Sequence, residues 1–252
     1  MSAPAPQKTS AYIVEFVGTF FLVLAICGTV SVGAPQGADL TDVALVHTLV
    51  LMALVYAIGS ISGCHVNPAV TLALLTIRKI SGRDAGIYIA CQLAGGVVAG
   101  LVVSWFFNIR GGLVDFGTPV VADVYLDGGN AFLAMLVEAA GAFLLTWAVM
   151  GTAVNPAAPK GVAGIAIGGA LGVGVLIFGP VTGASFNPAR WFGPALASGN
   201  FTDAWLYIVG PILGAVAAAL LYRLVMELDA RPLPAQSPVR GESAEPPLTA
   251  AR

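Results

Sequence analysis

The sequence is poor in charge. Asp, Glu, Lys and Arg make up 10% of its 252 residues, against roughly 25% in soluble domains. So few charges cannot coat a water-facing surface, and with 58% of residues hydrophobic the chain reads as an integral membrane protein. Basic clusters are also missing and the formal net charge is −2, which gives no case for a nucleic-acid partner. The three cysteines, Cys27, Cys64 and Cys91, sit in apolar surroundings without metal-ligand spacing and read as small buried hydrophobes. No nucleophile–base pair is evident, so no catalytic residue, metal or cofactor is expected, nor enzyme activity. The start, MSAPAPQKTS, is not expected to be a signal peptide: the apolar run that follows is too long and lacks a clear cleavage site.

What is present is a series of long apolar runs. A membrane-spanning helix needs about 20 mostly apolar residues. Six runs qualify, at 10–32, 43–62, 85–107, 130–151, 160–180 and 203–226. Two shorter stretches remain, 67–77 and 187–197. At about 1.5 Å per residue each reaches about 16 Å, half a bilayer. Residues 1–9 form a short leading segment. The stretch 229–252, rich in Pro, Ala, Ser and charge, reads as a disordered tail.

Six spans put both termini on one side. That side collects Lys8, Arg78, Lys79, Arg83, Lys160, Arg223, Arg231, Arg240 and Arg252. The other side holds Arg110 and Arg190 with Asp39, Asp42, Asp115, Asp123, Asp127 and Asp203. The Lys/Arg bias predicts that both termini are cytoplasmic in a cell membrane, whether plasma or bacterial inner.

The chain also repeats itself. EFVGTFFL, from Glu15, and EAAGAFLL, from Glu138, share the pattern E-x-x-G-x-F-x-L at an offset of 123 residues. SGCHVNPAVT and TGASFNPARW place Asn-Pro-Ala before a short apolar run at Asn67 and again at Asn187, an offset of 120. The unit is span, span, half-span, span, with repeat one at about 10–107 and repeat two at about 130–226. Three full spans per unit is an odd number, so the second copy enters from the other side and the repeat is inverted.

Asn is a good N-cap and Pro is favoured at the first helical position. Each Asn-Pro-Ala (Asn67, Pro68, Ala69 and Asn187, Pro188, Ala189) is therefore read as the start of a half-length helix. Inverted symmetry points the two N-termini at each other near the midplane. Irregular backbone at that depth is tolerated only if buried or lining a wet cavity. The loops SISGCHV and GPVTGASF thus argue for a polar path. As a cap, each Asn spends its side-chain oxygen on helix N–H groups and leaves its amide free to donate into that path. Two positive helix ends converge there and repel cations.

These motifs, EFVGTFFL, SGCHVNPAVT, EAAGAFLL and TGASFNPARWFGPAL, resemble the major intrinsic proteins, the aquaporin and glycerol-facilitator family, over about residues 10 to 226. The resemblance implies an all-α membrane fold of six tilted helices plus two re-entrant half-helices, spanning 10–228. It also implies one pore per subunit and a homotetramer. Family pores narrow at four positions, which fall on His47, Val175, Ala184 and Arg190. Strict water channels resemble Phe, His, Cys, Arg there, and glycerol facilitators Trp, Gly, Phe, Arg. This quartet departs from both and is closer to a plant tonoplast pattern, with a wider, more apolar opening. Glycerol facilitators usually carry Asp after the Arg and a basic residue four further on; Trp191 and Ala195 stand there instead. Water is the expected main substrate, with small neutral solutes (glycerol, urea, ammonia, hydrogen peroxide) as the alternative. An ion-coupled carrier using Glu15 and Glu138 is the competing class.

Arg190 is expected to face the pore, since a charge at membrane depth is costly and usually functional. His47 is expected to line the pore opposite it. Glu15 and Glu138 are expected to hold the re-entrant loop of their own half by hydrogen bonds, and His65 to support the first loop or border the vestibule. Gly96-x-x-x-Gly100 and Gly164-x-x-x-Gly168 read as close-packing faces between helices.

Overall fold

A computed structural model describes residues 8–229 except 35, 37, 123 and 125–129. The described residues form helices α1 (Thr9–Gly33), α2 (Leu40–Ser62), α3 (Pro68–Thr76), α4 (Gly82–Phe106), α5 (Asn108–Gly112), α6 (Ala131–Val149), α7 (Ala163–Thr182), α8 (Pro188–Ser198) and α9 (Ala204–Asp229). The final turn of the fourth long helix, Met150–Val154, is wound as a π-helix. Six helices are long and apolar enough to cross a membrane. Their ends lie within three residues of the runs read from the sequence. The short helix α5 in the connection after α4 was not foreseen. The tail 230–252, and with it Arg231, Arg240 and Arg252, lies outside the described residues, as do Asp123 and Asp127.

Each half has the order long, long, short, long: α1 to α4, then α6 to α9. Within a half, the first helix packs on the last, α1 on α4 and α6 on α9. Across the halves α2 packs on α7. The short helices cross over, α3 lying against α9 and α8 against α4. Each half therefore completes the other, and the re-entrant loops meet between them.

Local chemistry sets the helix ends. Asp39 caps α2 by accepting from Thr41 N at 2.6 Å. That backbone N–H holds its carboxyl below the ordinary carboxylate range. Ser81 caps α4, accepting from Asp84 N at 3.1 Å. The second long helix of each half stops at a left-handed glycine, Gly63 (φ 86°) and Gly183 (φ 73°). Each glycine returns its N–H to a carbonyl four residues back, Gly59 and Gly179, at 2.9 Å.

The crossing helices approach at backbone distance. A methyl group on Gly96 would lie 2.5 Å from the Ala189 carbonyl oxygen, and one on Gly168 2.5 Å from that of Thr48. Both belong to the glycine pairs read as packing faces. Gly96 thus lets α4 rest on the first turn of α8, which carries the second Asn-Pro-Ala. Gly169, one residue from Gly168, has nothing within 4 Å of such a methyl. Gly96→Val should therefore cost about 2–3 kcal/mol by overpacking. Gly169→Ala should gain about 0.5–1 kcal/mol of helix propensity. Thermal unfolding of the two detergent-solubilised variants should move their midpoints in opposite directions.

Candidate pore between two re-entrant loops

Each re-entrant loop is built the same way. Residues Cys64 (φ 49°) and Val66 (φ 40°) take the left-handed conformation, as do Ala184 (φ 46°) and Phe186 (φ 52°). These are the third and first residues before each Asn. Non-glycine residues pay of order 1–3 kcal/mol each for such a backbone. Something must hold them there, and the buried glutamates do.

Glu15 is fully buried. Its carboxylate accepts from His65 N (2.9 Å), Val66 N (2.7 Å), Ser62 Oγ (2.6 Å) and Gln92 Nε2 (2.8 Å). Glu138, also fully buried, accepts from Ser185 N (3.0 Å), Phe186 N (2.6 Å) and Thr182 Oγ1 (2.7 Å). The hydroxyls of Ser62 and Thr182 also accept from the N–H of Cys64 (3.0 Å) and Ala184 (3.3 Å). Tyr88 and Tyr207 then donate to the carbonyls of Ser62 and Thr182, each at 2.9 Å. With their N–H groups turned to the glutamates, the loops present carbonyls on the other side.

The two Asn side chains meet the loops from the helix side. Asn67 Oδ1 accepts from Ala69 N at 2.8 Å. Asn187 Oδ1 accepts from Ala189 N at 2.9 Å and Arg190 N at 3.3 Å. Their amides are not wholly free, which corrects the reading from sequence. Asn67 Nδ2 donates to the Phe186 carbonyl at 2.9 Å, and Asn187 Nδ2 to the Val66 carbonyl at 2.8 Å. Each amide thus spends one hydrogen on the opposite loop and keeps the second. Both Asn residues line the same cavity.

That cavity runs between the halves and leaves about 30 Å³ for a water-sized sphere. This is a tight space, on the order of a few waters. Apolar side chains, among them Leu22, Ile26, Leu51, Leu145, Ile167 and Leu171, make up much of its lining. Asn67, Asn187, Ser185 and Arg190 supply polar groups, and His47 and His65 also border the space.

Arg190 and His47 lie towards the face opposite the termini. Arg190 is buried and donates from Nη1 to the Gly117 carbonyl at 2.9 Å, while its Nε has no partner among the described residues. His47 is buried too, with Nδ1 2.7 Å from the Val43 carbonyl. A carbonyl only accepts, so Nδ1 carries the hydrogen, and in the neutral ring Nε2 is an acceptor. That Nε2 is likewise unpartnered. Buried polar atoms without protein partners call for water or a solute. Val175 and Arg190 line a wider vestibule of about 410 Å³ next to this mouth. Ala184 is fully buried and lines neither space. His65 packs edge-on against Tyr88 and bonds Thr71 Oγ1 through Nδ1 at 3.1 Å.

Two features escaped the sequence reading. Gln92 bonds both Glu15 and Thr71 Oγ1 (3.0 Å); a polar amide inside an apolar span was its signal. A third Asn-Pro-Ala stands at Asn155. Asn155 Oδ1 accepts from Ala157 N at 2.9 Å, the same capping contact, yet only a turn follows. Pro159 and Gly161 come next in place of an apolar run.

The major intrinsic protein family model matches residues 3–222. The chain belongs to the major intrinsic protein family. Aquaporin NIP1-1 of Zea mays is 40% identical over 227 residues, covering 89% of this chain and 77% of that one. Putative aquaporin NIP4-1 of Arabidopsis thaliana is 35% identical over 223 residues, covering 88% and 76%. The solved aquaglyceroporin from Plasmodium falciparum shares the fold, with a TM-score of 0.69 at 23% identity, over 86% of this chain and 96% of that one. Likeness along the chain thus extends to NIP aquaporins, whereas the tonoplast likeness rested on four positions. As a family of membrane channels rather than enzymes, the major intrinsic proteins set the frame for this pore.

Glu15→Gln and Glu138→Gln each turn a carboxylate that faces only donors into an amide with one acceptor. Each should cost about 3 kcal/mol. The expected readout is a lower thermal midpoint and less monodisperse protein. If both variants match wild type in stability, the glutamates do not hold the loops.

Proposed function

We propose that this channel passes water through the narrow lumen and excludes protons and ions. The carrying observation is the small lumen, about 30 Å³, lined by both Asn residues and Arg190. The relatives' own name, aquaporin, supports the same reading. In the mouth, Arg190 supplies donors and His47, in its neutral form, an acceptor, so a water molecule satisfies both. Fixed positive charge and two converging helix N-termini oppose cations.

A channel for small neutral solutes is the second reading. The observation that favours it is Val175, an apolar side chain lining a roomy vestibule beside Arg190. A coupled carrier is disfavoured. Glu15 and Glu138 do not line the lumen, and their oxygens are occupied by loop donors. We further infer a homotetramer in the cell membrane with cytoplasmic termini, from the family resemblance and the Lys/Arg bias.

Stopped-flow light scattering on proteoliposomes tests the reading. Shrinkage in an impermeant osmolyte should far outpace that of empty vesicles, with slow reswelling in glycerol or urea and no added proton leak. Arg190→Ala should speed glycerol and urea entry and admit protons. Fast solute entry in wild type would favour the second reading, and no acceleration at all would sink the open channel.

A further inference from the structure

Arg190 is aimed by one carbonyl, and that carbonyl sits on an unusual piece of backbone. Residues Asp115, Phe116 and Gly117 form a single 3-10 turn in the connection between α5 and α6. All three have positive φ, at 47°, 52° and 80°. Two of them are not glycine, so the turn is strained and must be held from outside.

Phe116 packs on the apolar cluster of Val23, Cys27, Ala99 and Val103, and the remaining holding contacts are polar. Asn200 Nδ2 donates to Asp115 Oδ2 at 2.8 Å. Thr118 Oγ1 donates to the Asp115 carbonyl at 2.6 Å and lies 3.2 Å from Ser198 Oγ. Asn200 is fixed in turn, its N–H donating to Ser198 Oγ at 3.2 Å and its Oδ1 accepting from Thr202 N at 3.0 Å. Ser198 ends the half-helix capped by Asn187, and Asn200 follows two residues later. The turn is therefore tied to the same element that carries Arg190. Beneath it lies α1: a side chain on Gly117 would meet Cys27 Cα at 3.0 Å, and Cys27 Sγ is 3.9 Å from the Gly117 carbonyl oxygen.

We propose that the Asp115–Asn200 pair is a clamp that positions Arg190 and so sets solute selectivity at the pore mouth. It acts through the Gly117 carbonyl and touches no permeating molecule. The inference rests on the channel reading above. When the clamp opens, the strained turn relaxes, the carbonyl leaves Nη1 and the guanidinium is no longer fixed across the mouth.

The test uses the full chain with Cys64→Ala and Cys91→Ala, so that Cys27 is the remaining thiol. Asn200→Asp faces two carboxylates and opens the clamp. Asp115→Asn with Asn200→Asp restores the pair with donor and acceptor exchanged. In proteoliposomes, Asn200→Asp should raise the ratio of urea to water permeability about threefold or more, and the double variant should return it. Labelling of Cys27 by a small charged methanethiosulfonate should speed up about fivefold or more in Asn200→Asp and slow again in the double variant. The clamp is overturned if Asn200→Asp labels at the wild-type rate, if labelling rises with the permeability ratio unchanged, or if the double variant behaves as Asn200→Asp does. Failure of the channel reading looks different: wild type would then pass water no faster than empty vesicles, and Cys27 labelling alone would decide the clamp.

Discussion

Every backbone N–H at membrane depth needs an acceptor, and here two buried carboxylates supply it. A re-entrant loop exposes several N–H groups that a continuous helix would satisfy internally. Glu15 takes those of His65 and Val66, and Glu138 those of Ser185 and Phe186. Without them the left-handed residues at 64, 66, 184 and 186 would have no reason to persist. Those residues turn the carbonyls outward. The carbonyls of Val66 and Phe186 then catch the Asn amides of the other half. From carboxylate to loop to opposing Asn, each contact presupposes the one before it. The charges are costly to bury, but their donors approach from four or three directions, so the ions are solvated by protein.

The two halves are not identical, and the differences are chemical. Gln92 stands on α4 one helical turn after Tyr88; the matching place after Tyr207 on α9 is Pro211. Proline offers no donor, so Glu138 has one partner fewer than Glu15. Thr71 follows Asn67 by four residues, whereas Trp191 follows Asn187 by four. Thr71 joins Gln92 and His65 in a polar cluster behind the first loop. Trp191 instead stacks on Tyr207 at 5.6 Å between ring centroids. One half thus keeps a polar support and the other an aromatic one. Arg190, with no basic counterpart at Val70, gives one mouth a charge that the other lacks. The inverted repeat makes the midplane nearly symmetric and leaves the ends free to differ.

Much of this was readable from residues. Spans follow from run length and the repeat from E-x-x-G-x-F-x-L, and both are local patterns. The half-helices follow from Asn-Pro placed before an apolar stretch too short to span. Context mattered more than the tripeptide: Asn155-Pro156-Ala157 makes the same cap and opens only a turn. What the sequence hid is what depends on the other half. Nothing local says that Asn67 donates to Phe186, 119 residues away, or that Asp115 meets Asn200. Nor does a lone Gln92 announce Glu15 as its partner, since the two lie 77 residues apart. The filter quartet was drawn from family spacing. Three of its residues border the mouth and vestibule, while Ala184 is buried in its loop.

The crossed Asn bonds bear directly on how a water file could block protons. A free amide would swing about its terminal torsion and offer hydrogens in many directions. Here the oxygen is fixed on the helix N–H groups and one hydrogen on the opposite loop. A planar group held at two points has its third, the remaining hydrogen, aimed by geometry alone. Two such hydrogens, one from each half, converge on the same narrow space. On the water-channel reading, a water there would accept from both and direct its own hydrogens away along the file. With its lone pairs engaged, such a water would not accept a proton from either neighbour. The cross-link that removes half of each amide's donors is therefore what makes the other half directional.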